Sequence, residues 1–409
     1  MDATEQDVRR RRVVYIPGYD PIHPRRYREL YRKEGAAQAA VSGYALTLKP
    51  KTTRGPYGWQ VQTVMEGAQT EAEIEVLVWS DIVRDSMSGS IPATYLQLLR
   101  TAWEYIGTGA LFRLMRLRKG PVIAALYPVA MLLAQLAMAV LAGWGVLLLA
   151  GLARPVLGWG ADLLGAGLGL ATLWAVLRWC QTHDNRFFAY YLMHDYAYSA
   201  RHRGANPPEL EARMAEFRAT IAAALASDVD EVLVVGHSSG AHLAVSILAD
   251  LLRQTPPPAH GPRLAFLSLG QVVPMVSFLR DAHRLRADLA FLSTRPDLTW
   301  IDVTAPGDGC AFALCDPVAV SGVAPPGKRW PLVFSAQFTR SLSPERWKAL
   351  RWRFFRLHFQ YLCAFDRPLD YDYFRITAGP LSLAARYAQR PPSASRIETP
   401  VNRFTATAA

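Results

Sequence analysis

The chain has 409 residues, 45 basic against 34 acidic side chains (net charge +11), 51% hydrophobic residues and four cysteines. At roughly 150 residues per domain this length fits one large domain with insertions, or two domains. The apolar fraction excludes a disordered chain, which cannot bury enough surface to offset its conformational entropy. Scattered cysteines exclude a disulfide scaffold and fit a reducing compartment.

Residues 12–16 form a short β-rich run that ends at Pro17-Gly18. The arginines before it (Arg9–Arg12) precede too few apolar residues for a signal peptide. Residues 75–79 read as a second strand. A further basic cluster, Arg113, Arg116, Arg118 and Lys119, stands directly before the most apolar part of the chain. No zinc-ligand spacing and no aromatic–basic run accompanies these charges, so no nucleic-acid partner is expected and the basic surplus points to a membrane.

Residues 121–153 carry no charge, and 156–177 carry only Asp162. A bilayer core of about 30 Å needs about 20 helical residues, so the pair predicts a transmembrane hairpin turning at Arg154-Pro155. A hairpin lying in one leaflet is the alternative, since Asp162 is costly at the bilayer centre. Gly165 and Gly169 offer a small face for helix packing. Basic residues flank both ends of the hairpin and only Arg154 lies at its turn, which predicts that both ends face the cytoplasm at an inner membrane.

After the hairpin, strands alternate with helices, the pattern of an α/β fold with a mostly parallel sheet. Leu210, Met214, Phe217, Ile221 and Leu225 mark an amphipathic helix. Residues 231–235 read as a fully buried strand and 241–253 as a helix; 264–269, 298–303 and 332–334 are further strands. The organisation expected is 1–119 and 180–390 as two parts of one α/β domain, 120–179 as the hairpin, and 391–409 as a disordered tail.

Between strand 231–235 and the following helix lies Gly236-His237-Ser238-Ser239-Gly240. A serine on a tight strand-to-helix turn presents its hydroxyl above the sheet edge, and the helix N-terminus adds positive potential for an oxyanion. The alternative is a glycine-rich turn whose serines only cap the helix, a task Ser239 could do equally well.

On this motif the chain resembles the α/β-hydrolase superfamily, in particular its lipases and esterases. The resemblance implies an α/β-hydrolase-like sheet with an inserted membrane hairpin, and Ser238 as nucleophile. It implies the chain order serine, acid, histidine, which selects His358, the histidine beyond the late strands, as base. Asp308, in a Pro/Gly loop past strand 298–303, is the implied acid, with Asp316 as runner-up; Asp302 lies inside the strand and points to a sheet face. The implied oxyanion hole takes the Ser239 amide and one from the loop after the first strand, Gly18 or Tyr19. The setting of His358 departs from the family, because 347–363 reads as helix rather than loop.

Cys310 and Cys315 read as packed thiols, and no metal or organic cofactor is expected. Phe187, Phe188, Tyr190 and Tyr191 suit a site cover or the headgroup level. The function expected is a membrane-anchored serine hydrolase acting on a hydrophobic acyl ester, with the bilayer and that ester as partners. A non-catalytic membrane-bound module and an acyltransferase using the same residues are the alternatives.

Overall fold

The computed structural model describes residues 7–87, 89–255 and 261–408. Its strands are β1 (Arg10–Ile16), β2 (Ala45–Pro50), β3 (Gly58–Met65), β4 (Ala68–Val76), β5 (Glu231–His237), β6 (Arg263–Leu269), β7 (Thr299–Thr304) and β8 (Leu332–Ser335). They form one sheet in the order β2-β3-β4-β1-β5-β6-β7-β8. β3 runs antiparallel to β2 and β4, and the other neighbours pair in parallel. The sheet is therefore mixed, and its antiparallel strand is one the apolar runs do not announce. β3 buries only alternate residues, as a strand covered on one face does.

The central strand β5 is buried along its whole length because both faces of the sheet are covered. Val232 and Val234 point to one core, Leu233 and Val235 to the other, as the period of two requires. The helices that bear on the site are α1 (Arg25–Ser42), α2 (Ile91–Ala102), α3 (Ala110–Leu117), α4 (Lys119–Gly151), α5 (Gly160–Thr182), α6 (Ala189–Arg201), α7 (Pro208–Leu225), α8 (Ser239–Gln254), α9 (His283–Ser293), α10 (Pro317–Val320) and α11 (Phe354–His358). Both parts of the chain flanking the hairpin contribute strands to the one sheet.

α4 and α5 are each long and apolar enough to cross a membrane. Near their tip the side chains point away from the protein, with Val156 86% and Trp159 78% exposed. The helices meet through small residues: a Cβ on Gly143 would lie 2.6 Å from the Gly169 carbonyl oxygen, and one on Gly165 would lie 2.8 Å from Ala150 Cβ. Asp162 sits in the first turn of α5 and pairs with Arg154 at 2.8 Å, so its charge is at the hairpin tip rather than midway along. The lower half of α4 packs on α2 and α6 through Leu98, Leu132, Tyr190, Met193 and Ala197. The outer face of α2 and the π-helical turn Trp103–Gly107 leaves Leu96, Leu99, Trp103 and Ile106 exposed beside it.

The expected disorder of the tail is corrected. The Ile397 amide donates to the Leu314 carbonyl (2.7 Å) and the Asp316 amide to the Ile397 carbonyl (2.9 Å), a parallel bridge to the loop at Cys315. Asn402 adds a bond to the Ser277 carbonyl at 2.9 Å. Unpaired backbone groups of that loop hold a segment whose composition alone reads as loose; residue 409 lies outside the described residues.

Asp302 lies in β7, accepts a hydrogen bond from Ser268 Oγ at 2.6 Å, and leaves its second oxygen unpartnered. Burial pushes its carboxyl up to about 8, with Asp316 adding to the rise. A carboxyl with a raised folded-state pKa contributes stability that is complete below its unfolded value near 4 and is lost as pH rises through 8. Asp302→Asn keeps the acceptor for Ser268 without the titration. Its Tm should exceed that of the parent at pH 8 by several degrees, the gap shrinking steadily towards pH 4 in thermal melts. A gap independent of pH would contradict this reading.

Candidate active site

The Gly236–Gly240 segment turns from β5 into α8 with Ser238 at φ 56°, ψ −123°, a strained conformation for a residue with a Cβ. The flanking glycines are dictated by contact. A Cβ on Gly236 would lie 2.7 Å from Ala241 Cα, and one on Gly240 would lie 2.1 Å from the Ile16 carbonyl oxygen. α8 thus starts hard against the end of β1, which brings the loop 17–20 to the serine. A Cβ on Gly18 would stand 2.9 Å from Ser238 Cβ and 3.3 Å from its Oγ.

The Ser239 amide belongs to the first turn of α8, whose N–H groups have no intrahelical acceptor. Among the described residues neither it nor the Gly18 amide has an assigned acceptor. The loop is pinned around these amides: Trp79 Nε1 donates to the Pro17 carbonyl at 3.0 Å, and the Tyr191 hydroxyl donates to the Tyr19 carbonyl.

His358 ends the short helix α11, beyond β8, and the helical stretch read from the sequence is broken into Pro344–Leu350, Phe354–His358 and a 3-10 turn Phe359–Leu362. Its Nδ1 lies 2.7 Å from Asp308 Oδ2. The same oxygen accepts from the Tyr361 hydroxyl at 3.0 Å, and Asp308 Oδ1 accepts from the Cys310 amide at 2.9 Å. Burial pushes the Asp308 carboxyl up, but the His358 ring and these donors outweigh it and hold the group below its ordinary value. The runner-up, Asp316, is committed elsewhere: it caps α10 through the Val318 and Ala319 amides and pairs with Lys328 at 2.5 Å.

His237, at a variable position of the motif, and Tyr361, outside it, add to the site. His237 Nε2 donates to the His358 carbonyl at 3.0 Å, and the two rings lie 4.8 Å apart. Burial, reinforced by His358, drives the His237 imidazole down to about 3, so it is neutral and serves as a fixed donor. His237 thereby ties β5 to the helix that carries His358.

Ser238, Ser239, Gly18, Tyr19 and His358 all line one cavity of about 850 Å³, roofed by the inner face of α6 and by Phe188 and Phe355. His358 Nε2 is buried and makes no hydrogen bond; the bond from the Ser238 hydroxyl is not formed in this geometry. Cys310, read from the sequence as packed, also stands in the wall.

Donor atoms of Asp308, Cys310 and His358 lie within 4.8 Å of one another. A metal there would have to break the Asp308–His358 bond and deprotonate a thiol whose pKa burial raises well above its usual value. The donor set therefore fits an acid–imidazole pair better than a metal centre. Compared with protein-family models, with curated proteins and with solved structures, the chain matches none.

Proposed function

We propose that the protein is a serine hydrolase of the α/β-hydrolase kind, anchored in a membrane by the α4–α5 hairpin and cleaving esters of hydrophobic acyl groups. The observation that carries this reading is the strained Ser238 on its strand-to-helix turn, sharing one cavity with an imidazole whose far nitrogen is held by a buried carboxylate. Ser238 Oγ attacks the ester carbonyl while its proton passes to His358 Nε2. Asp308 keeps Nδ1 protonated and stabilises the imidazolium. The amides of Ser239 and Gly18 receive the oxyanion; collapse breaks the bond to the alcohol oxygen, which takes the proton from His358. Water then repeats the sequence on the acyl-enzyme. Catalytic hydrogen bonds are often long before substrate arrives and tighten on binding.

The anchoring draws on the two apolar helices and on the exposed row Leu96, Leu99, Trp103 and Ile106, which extends the apolar surface beside them. Arg113, Arg116, Arg118 and Lys119 at the base of α4, Arg178 near the end of α5 and Arg186 beyond it suit a cytoplasmic headgroup layer.

Labelling of the membrane fraction with a fluorophosphonate tests the reading. Wild type and Ser239→Ala should react and Ser238→Ala should not, and equal labelling of all three refutes it. The unformed Ser238–His358 bond favours a second reading, a non-catalytic module, and absence of label on every protein would support that one.

A further inference from the structure

Three carboxylates line the cavity, and two of them are already engaged. Asp184 accepts from the Tyr190 and Tyr191 amides at 3.0 Å each and so caps α6. Asp20 accepts from the Tyr27 hydroxyl at 2.7 Å and from the Ile22 amide at 2.9 Å, with Arg26 at 3.7 Å. The third, Asp195, has no hydrogen bond and no ion pair among the described residues. It stands on the face of α6 that also supplies Tyr191, Tyr196 and Ser199 to the wall.

Its surroundings are phenol rings and a thiol. Asp195 acts electrostatically on Tyr19, Tyr105, Tyr191, Tyr196 and Cys310, and the His358 imidazole acts on it in turn. Burial raises its carboxyl to about 7, with His358 opposing. A carboxyl in such a wall is costly unless a ligand satisfies it.

The side of the cavity matters. A departing alcohol must lie next to the imidazole that returns its proton, and Asp195 lines the same cavity as that imidazole and Cys310 and interacts electrostatically with both. The hydrogen-bond partner missing from Asp195 therefore belongs to the alcohol half of the ester.

We infer that Asp195 is a specificity-determining residue that accepts a hydrogen bond from a free hydroxyl on the leaving alcohol, so that the substrate class is the partial ester of a polyol with a hydrophobic acyl chain. This rests on the hydrolase reading above. A site built around a substrate hydroxyl discriminates strongly against the analogue without one, because its own polar group is then left unpaired.

The probes are 1-octanoylglycerol and propyl octanoate, which share the acyl chain and the three-carbon alcohol and differ in two hydroxyls. The full-length protein in detergent or nanodiscs should show kcat/KM at least about tenfold higher for the glycerol ester. Asp195→Leu should bring that ratio close to one, and Asp195→Asn, which keeps an acceptor oxygen, should retain part of it. A purely structural role for Asp195 would lower both rates and leave the ratio intact, and that result overturns the inference. So does a wild-type ratio near one, or turnover of neither ester by a protein that still labels at Ser238. Loss of the label itself would instead remove the hydrolase reading and this inference with it.

Discussion

Asp308→Asn should lower kcat for hydrolysis of a short p-nitrophenyl ester by about 10⁴-fold, with the fold intact by circular dichroism. The carboxylate oxygen Oδ2 accepts from two donors at once, His358 Nδ1 at 2.7 Å and the Tyr361 hydroxyl at 3.0 Å. An amide NH₂ in that place turns an acceptor into a donor. His358 then carries its proton on Nε2, where it cannot take one from Ser238. In that same orientation the amide oxygen takes the Oδ1 place and still accepts from the Cys310 amide, so the loop has no reason to unfold. Asp316→Asn is the contrast: it weakens the cap of α10 and the pair with Lys328, and costs stability rather than rate. A loss below tenfold for Asp308→Asn would take this carboxylate out of the chemistry.

The second large effect is expected at Gly240, where one methyl group is too much. An added Cβ would lie 2.1 Å from the Ile16 carbonyl oxygen and 2.7 Å from that of Pro17, both backbone atoms at the end of β1. The helix α8 must retreat or β1 must bend, so Gly240→Ala should cost at least about 3 kcal/mol. The same shift separates the Ser239 and Gly18 amides, so fluorophosphonate labelling should vanish as well. Gly167→Ala, on α5 with nothing near its Cβ position, supplies the control and should leave the melt and the label unchanged. A Gly240→Ala protein that melts and labels like its parent would show that the elbow does not depend on this contact.

The elbow was legible because every determinant is local: a buried aliphatic strand, two glycines, a serine between them and an amphipathic helix. Asp308 and His358 were legible only through the chain order that the resemblance supplies, since no local periodicity links residues fifty positions apart. The sequence misleads about the setting of His358. Its run of aromatic and basic residues looks like one helix, but the chain breaks it after Leu350 and again after His358, and the 3-10 turn brings Tyr361 onto the carboxylate that holds His358. β2 and β3 escaped notice because neither is a continuous apolar run: β3 buries only alternate residues and β2 is largely exposed. Asp195 carried no signal at all. A lone acid on a helix is ordinary until tertiary contacts surround it with rings and withhold every donor.

The pairing of β1 with both β4 and β5 bears on how such a protein comes to life. β5, which leads into Ser238, follows β4 along the chain only after the whole 77–230 excursion, so ribosomes complete the two apolar helices before they make β5. A nascent polypeptide still threading that excursion has neither Ser238 nor His358. On the proposed reading, the anchor is synthesised before the residues that would carry the esterase chemistry.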